Sequence, residues 1–126
     1  MKIPNINNYP GVCNLHGDCW EGLASGPSMK ARWGIDPIEL AKDHEAWTIE
    51  AELLSLGLIN IISTHSPEKI ILGGGVMSQE HLLPMIRNNI AKIWNNFTPL
   101  VNLSDLITKP VLGKDSGIIG SLSLVC

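Results

Sequence analysis

Residues 66–77 read SPEKIILGGGVM, and this stretch decides the fold. Ser66-Pro67 ends the helical pattern that precedes it, because proline cannot continue a helix. The apolar run 69–72 then leads directly into three consecutive glycines, Gly73, Gly74 and Gly75. A short β-branched run that passes through glycines into a helical pattern is typical of a buried strand followed by a turn that faces a ligand. The stretch therefore predicts an α/β fold with one strand at 69–72.

Helical patterns surround this strand on both sides. Upstream, apolar residues recur at three- and four-residue steps from about His44 to Thr64, which predicts a long, largely buried helix. Downstream, the same spacing predicts a helix at about 79–96, with Ser78 as its N-cap and Pro84 delaying or kinking its first turn. Shorter helical pieces are predicted within 22–34 and from Asp36-Pro37 onward, where proline suits the first helical position. The apolar positions of the two long patterns are Trp47, Ala51, Leu54, Leu58, Ile61 and Ile62, and then Leu82, Leu83, Ile86, Ile90, Ile93 and Trp94.

A second strand candidate lies near the end of the chain. The run LITKPVL, 106–112, has Pro110 near its end, which marks an edge strand or a bulge. Gly113 to Ser116 then turn into a final helix of small and apolar residues. This order of elements predicts two parallel strands with helices around them. Stable open sheets usually have about four to six strands, so more chain or another molecule must complete this one.

Length and composition limit the classes of protein. The 126 residues suffice for one domain, which we place at 13–126, and residues 1–12 lack periodicity and predict an irregular arm. The net charge of −3 argues against nucleic acid and acidic membranes as partners. No run approaches the roughly 18 apolar residues of a membrane span, and the start lacks the apolar core of a signal peptide. The predicted location is the cytoplasm.

Cys13, His16 and Cys19 form the pattern C-x2-H-x2-C. Thiolate and imidazole are ligands that Zn²⁺ favours, and this short spacing lets one loop present all three to a tetrahedral ion. A structural site needs a fourth ligand, which this stretch does not supply. A Cys13–Cys19 disulfide, a catalytic cysteine and free surface thiols are the alternatives that remain open. The third cysteine, Cys126, is predicted to take no part.

Two further features concern ligand binding. The glycines at 73–75 lack the lysine of a phosphate-binding loop and the spacing of a dinucleotide-binding loop, so they indicate either a tight turn or a close approach of backbone to a ligand. In the second interpretation the backbone approaches a ligand at the carboxyl end of a strand, which is where open α/β sheets bind ligands. Glu21 follows Cys19 by two residues, and an isolated glutamate is usually solvated surface. Beside a loop fixed by a metal, its carboxylate would instead be held in place to accept hydrogen bonds from sugar hydroxyls.

Three stretches together resemble the ROK family of sugar kinases, and most closely its bacterial fructokinase branch: GVCNLHGDCWEGLASGPSMKARWG, SPEKIILGGGVM and LGKDSGIIGSLSL. The resemblance implies an α/β fold that is part of the C-terminal, RNase H-like domain of an actin-like ATPase, with helices around a small incomplete sheet. It also implies ATP with Mg²⁺ and a hexose, by expectation fructose, in a cleft between two domains. The resemblance further implies a structural zinc ion beside the sugar site.

The resemblance assigns roles to particular residues. Cys13, His16 and Cys19 correspond to three zinc ligands, and Glu21 corresponds to a glutamate that contacts the sugar hydroxyls. Gly73, Gly74 and Gly75 correspond to glycines that line the adenosine pocket. The family's phosphate loops, its catalytic aspartate and the segment with the fourth zinc ligand have no counterpart here, so no catalytic residue is assigned.

The chain therefore resembles the C-terminal two-fifths of a kinase, which is expected to be inactive alone. It is expected to form a homo-oligomer or to associate with a missing N-terminal half. The alternative is a non-catalytic remnant that keeps the fold and binds itself or a partner.

Overall fold

The computed structural model describes residues 1–98 and 102–125, so the prediction for Cys126 lies outside the described residues. In chain order, the described helices are α1 (Trp20–Leu23), α2 (Gly26–Trp33), α3 (Glu45–His65), α4 (Leu82–Trp94), α5 (Leu103–Leu106) and α6 (Ser116–Leu122). The strands are β1 (Ile70–Ile71) and β2 (Ile107–Thr108), and short 3-10 turns occupy Pro37–Glu39, Val76–Ser78 and Gly113–Asp115. The predicted order of helices, strand, helix, strand and helix is confirmed, and α5 is an additional short helix before β2 that was not predicted.

The long helix α3 is the centre of the fold. It begins after His44, whose Nδ1 accepts a hydrogen bond from the Ala46 N–H at 3.1 Å, and it ends at Ser66, which has a left-handed backbone (φ +45°). By length and composition alone α3 could cross a membrane, but half of its most apolar window is buried inside the protein, and a core helix passes the same test. Its apolar face packs against α4.

The main core lies between α3 and α4. Ser55 is fully buried there, and its hydroxyl donates to the Ala51 carbonyl oxygen at 2.6 Å, with the Ile86 carbonyl oxygen 3.2 Å away. This pairing lets a hydroxyl sit in an apolar interface without an unmet hydrogen bond. The least exposed apolar side chains of this core are Ala46, Trp47, Ala51, Leu58, Leu82, Ile86, Ile90 and Ile107.

The start of α4 differs from the prediction. Ser78 does not cap the helix; it ends the 3-10 turn Val76–Ser78, and its hydroxyl donates to the Gly75 carbonyl oxygen at 2.7 Å. The helix begins at Leu82, which places Pro84 in its first turn. Because proline lacks an N–H and is tolerated only near a helix start, Pro84 sets the beginning of α4 later than the apolar pattern suggested.

The sheet is small and parallel, as predicted. Ile70 pairs with Ile107 and Ile71 pairs with Thr108, and the two strands are shorter than the apolar runs that contain them. The second run is shortened on both sides, because Leu106 belongs to α5 and Pro110 has no N–H to donate to a neighbouring strand. Arg87 of α4 secures this junction, since its Nε donates to the Ile107 carbonyl oxygen at 3.1 Å.

The N-terminal segment lies against the domain. Ile3 is only 7% exposed and packs with Leu23 and Leu53 in a second apolar cluster. The backbone N–H of Trp20 donates to the Met1 carbonyl oxygen at 2.9 Å, which places the first residues beside the stretch that carries the cysteines. Although its backbone is irregular, the N-terminal segment is thus held in a fixed position against the domain.

Candidate functional site

The Cys-His-Cys loop, residues 13–19, is a tight hairpin. The backbone groups of Cys13 and Gly17 exchange two hydrogen bonds, at 3.2 Å and 2.8 Å, and Gly17 has a positive φ of +59°. This turn brings the Cys13 sulfur, the His16 imidazole and the Cys19 sulfur together, with all three ligand atoms within 4.8 Å of one another. The structure therefore places the three predicted metal-binding residues in one cluster.

The surroundings of the loop hold it in this shape. The Val12 N–H donates to the Gly22 carbonyl oxygen at 3.0 Å, and a Cβ on Gly22 would overlap the carbonyl oxygen of Gly17. Lys2 forms an ion pair with Asp18 on the outer side. The loop is therefore wedged between the N-terminal segment and α1, and glycine is required where they touch.

The electrostatics of the loop favour a thiolate. Hydrogen bonds from the backbone of His16 and then of Leu15 lower the pKa of the Cys13 thiol from 9.0 to about 7, and the His16 and Cys19 side chains act in the same direction. The Cys13 sulfur lies 3.8 Å from His16 Nδ1, and both described cysteines are free thiols. Two thiols and an imidazole at these separations fit three positions of a tetrahedral zinc site.

Glu21 lies on α1, in its first turn, and its side chain is exposed. Cys19 precedes α1 as its N-cap residue and is only 5% exposed. Because Cys19 directly precedes α1, a loop held in one conformation would also hold α1 and the Glu21 carboxylate in place. The role of Glu21 in sugar binding stays a prediction.

The three glycines line a groove with a volume of about 1100 Å³. All three are exposed, and Gly74 has a φ of +98°, which favours glycine because a side chain would be strained there. The run follows β1 at its carboxyl end, which is where ligands of parallel sheets bind. Lys109 and Pro110, after β2, extend the same wall, and Lys109 Nζ donates to the Gln79 carbonyl oxygen at 3.4 Å.

The opposite wall of the groove is formed by the start of α2 and the segment that follows it. A Cβ on Gly26 would lie 3.6 Å from a methyl group of Val76, so the two walls meet there in ordinary contact. Lys30 and Asp36 form an ion pair at 3.4 Å on this wall. Sequence reasoning assigned Asp36 only as a helix cap; its position in the groove lining depends on how α2 packs, which no local pattern encodes.

The Cys-His-Cys loop and the groove are separate features of the structure. Neither the Cys-His-Cys loop nor Glu21 contributes to the lining of the groove among the described residues. They are joined through α1 and α2, because the loop leads into α1 and the start of α2 forms a groove wall. The arrangement offers one loop with three potential metal ligands beside one carboxylate, and a separate groove with a glycine wall and a charged wall.

Comparison with known proteins identifies the family. The sequence model of the ROK family matches residues 2–126. A provisionally named fructokinase of Bacillus subtilis (strain 168) is 42% identical over 120 residues, which are 92% of this chain and 40% of that protein. A fructokinase of Pediococcus pentosaceus is 37% identical over 124 residues, which are 94% of this chain and 43% of that protein.

A solved structure shows the same fold. The ROK hexokinase of Thermus thermophilus superimposes with a TM-score of 0.71 at 19% identity, over 99% of this chain and 47% of that one. The predicted fold, part of an actin-like ATPase domain with helices around a small sheet, is confirmed. The chain spans about two-fifths of the length of the fructokinases it matches. It belongs to the ROK family.

Proposed function

We propose that this chain is the C-terminal portion of an ATP-dependent sugar kinase of the fructokinase type. The intact enzyme would transfer the γ-phosphoryl group of ATP to a hydroxyl of a hexose, with fructose as the expected hexose and Mg²⁺ accompanying ATP, in the cytoplasm. The observation that carries the proposal is the groove at the carboxyl end of β1, with Gly73–Gly75 as one wall, in a chain whose relatives are named fructokinases.

In this proposal the residues of the chain bind and position the substrates. The glycine wall lets the adenosine part of ATP approach the backbone closely, because no Cβ stands in the way. The Glu21 carboxylate accepts hydrogen bonds from sugar hydroxyls. Phosphoryl transfer depends on positioning and on neutralising the phosphate charge. We assign to this chain no side chain that neutralises the phosphate charge. We therefore expect the chain alone to bind substrates without catalysing phosphoryl transfer.

Zinc would be held by Cys13, His16 and Cys19, and it would supply rigidity to the loop rather than chemistry. The rest of the kinase, or a second molecule, would provide the fourth ligand. Metal analysis of freshly purified protein tests this, with Cys13→Ser as the variant and Cys126→Ser as the matched control. We expect Cys13→Ser alone to lose zinc; zinc below about a tenth of an equivalent per chain in all three proteins would contradict the site.

A coupled assay with ATP and several hexoses tests the activity. It is run on this chain alone and on this chain joined to the N-terminal part of the Bacillus subtilis relative that the match does not cover. Transfer to fructose by the joined protein supports the proposal, and absence of transfer from both contradicts it. In the joined protein we expect Glu21→Gln to raise the KM for sugar, whereas the exposed Glu45→Gln leaves it unchanged.

A second candidate function is a non-catalytic remnant that associates with itself or with a partner. It is favoured by the apolar surface near the C-terminus, where the described residues of α6 and its flanks include no buried side chain. Light scattering of the pure chain at micromolar concentration tests self-association, and a monomer would contradict self-association. Binding of ATP and sugar by the chain would distinguish the kinase portion from the remnant. The large exposed apolar residues of α6 and its flanks are Val111, Leu112, Ile118, Ile119, Leu122, Leu124 and Val125.

A further inference from the structure

The charged wall of the groove carries a carboxylate whose orientation is fixed from two sides. One oxygen of Asp36 accepts a hydrogen bond from the Ile38 N–H at 3.3 Å, and the other lies 3.4 Å from Lys30 Nζ. The first contact is a helix-cap interaction, and the second spans six residues from α2 to the next segment. The carboxylate is therefore held in place, although the two side chains remain 46% and 64% exposed.

An ionised carboxylate is an acceptor only, with about four lone-pair sites on its two oxygens. Two contacts leave acceptor capacity on a residue that lines the groove. The groups that such a carboxylate binds without a metal are hydroxyls and N–H groups, whereas phosphate oxygens are repelled. Two neighbouring hydroxyls suit it best, because each can donate one hydrogen bond to it.

The rest of the groove supplies complementary chemistry. Pro27, Pro37 and Ile38 place apolar surface beside Asp36, and Ile38 is 78% exposed at this wall. Lys109 places a cation on the sheet side. An amphipathic ligand with a flat apolar ring, a diol and an anionic end matches this distribution of groups.

We propose that Asp36 binds the 2′- and 3′-hydroxyls of the ribose of a ribonucleotide. This inference rests on the proposed function, which places the adenosine part of ATP in the groove. It adds a specificity: the groove distinguishes a ribonucleotide from a nucleotide without the ribose hydroxyls. Charge-assisted hydrogen bonds carry the difference, because the dideoxy nucleotide leaves the carboxylate without those donors.

Calorimetric titration of the chain with Mg-ATP and with Mg-2′,3′-dideoxy-ATP tests the inference. We expect the wild-type protein to bind ATP about tenfold more tightly than the dideoxy analogue, as one or two charge-assisted hydrogen bonds allow. Asp36→Asn keeps the shape and the helix cap, and we expect it to lose most of this preference by weakening only ATP binding. Asp36→Ser also keeps a cap oxygen but cannot reach the ligand, so it should show the same loss. Glu39→Gln is the matched control, because Glu39 lies in the same 3-10 turn but does not line the groove.

Each result separates this inference from the function on which it rests. Equal affinity of the wild-type protein for both nucleotides overturns the ribose contact while leaving the adenosine site intact. An equal loss for both nucleotides in Asp36→Asn and Asp36→Ser also overturns it, because the carboxylate would then act on the shape of the groove. Binding of neither nucleotide to the wild-type protein overturns the adenosine site and the ribose contact together.

Discussion

Glu50 is a buried carboxyl group in the middle of α3. Its side chain is only 2% exposed, and its Oε1 has no hydrogen-bond partner among the described residues. Burial raises the pKa of this carboxyl group from 4.5 to about 7, and the positive charge of Arg32 on α2 offsets part of the effect. Glu50 is therefore expected to gain its charge near neutral pH, inside the protein.

The sign of the effect on stability follows from proton binding. Between pH 4.5 and pH 7 the folded protein keeps the proton on Glu50 while the unfolded chain has lost it, so the free energy of unfolding falls as pH rises. Above pH 7 both states are ionised, and the folded state contains a buried charge. At about 1.4 kcal/mol per pKa unit, the loss between pH 5 and pH 8 is about 2–3 kcal/mol.

Urea unfolding at several pH values between 5 and 8 measures this loss in the wild-type protein and in Glu50→Gln. The amide keeps the size of the side chain but does not titrate, so the difference between the two proteins isolates Glu50 from the 4 histidines. We expect Glu50→Gln to gain relative to wild type as pH rises, whereas the exposed Glu68→Gln follows the wild-type curve. A difference between wild type and Glu50→Gln that does not change with pH would refute the reasoning.

Three further predictions concern the packing of α1. Gly57→Ala is expected to destabilise the protein by about 1–3 kcal/mol, because its Cβ would overlap the Trp20 indole; urea unfolding measures this, and an unchanged midpoint would contradict the packing. Trp20→Phe removes the donor of the 3.0 Å hydrogen bond to the Leu53 carbonyl oxygen and is expected to cost about 1 kcal/mol in the same assay; no loss would contradict that bond. Gly22→Ala is expected to displace Gly17 and abolish zinc retention, and metal analysis showing wild-type zinc content would contradict this.

Much of the fold could be predicted because its signals are local. The apolar spacing that identified α3 and α4 is a property of each helix alone, and Gly34, which has a left-handed backbone, ends α2 at the end of the predicted helical stretch 22–34. The start of α4 could not be placed by the same means. Ser78 is a good cap by residue type, but Pro84 fixes where the first turn lies, and the glycine-rich turn uses Ser78 for its own hydrogen bond.

Part of the candidate site could likewise be predicted from the sequence, and part could not. The cysteines and His16 could be found from the sequence because one short hairpin brings them together. The glycine wall of the groove could also be found, since it follows a strand directly. The charged wall could not, because Lys30 and Asp36 reach the groove only through the packing of α2 against the turn at Val76. Contacts between segments distant in sequence leave no periodic signal in either one.

The Cys-His-Cys loop and the core are mechanically connected through one side chain. Trp20 follows Cys19 directly, and its indole covers Gly57 on α3 while its Nε1 donates to the Leu53 carbonyl oxygen. A loop that is free to move would carry Trp20 with it and expose the middle of α3. A metal that binds only the ordered loop would therefore favour the packed position of α1, since a ligand of the folded state stabilises that state. The structural role proposed for zinc thus extends beyond the loop to the helix that leads into β1 and the groove.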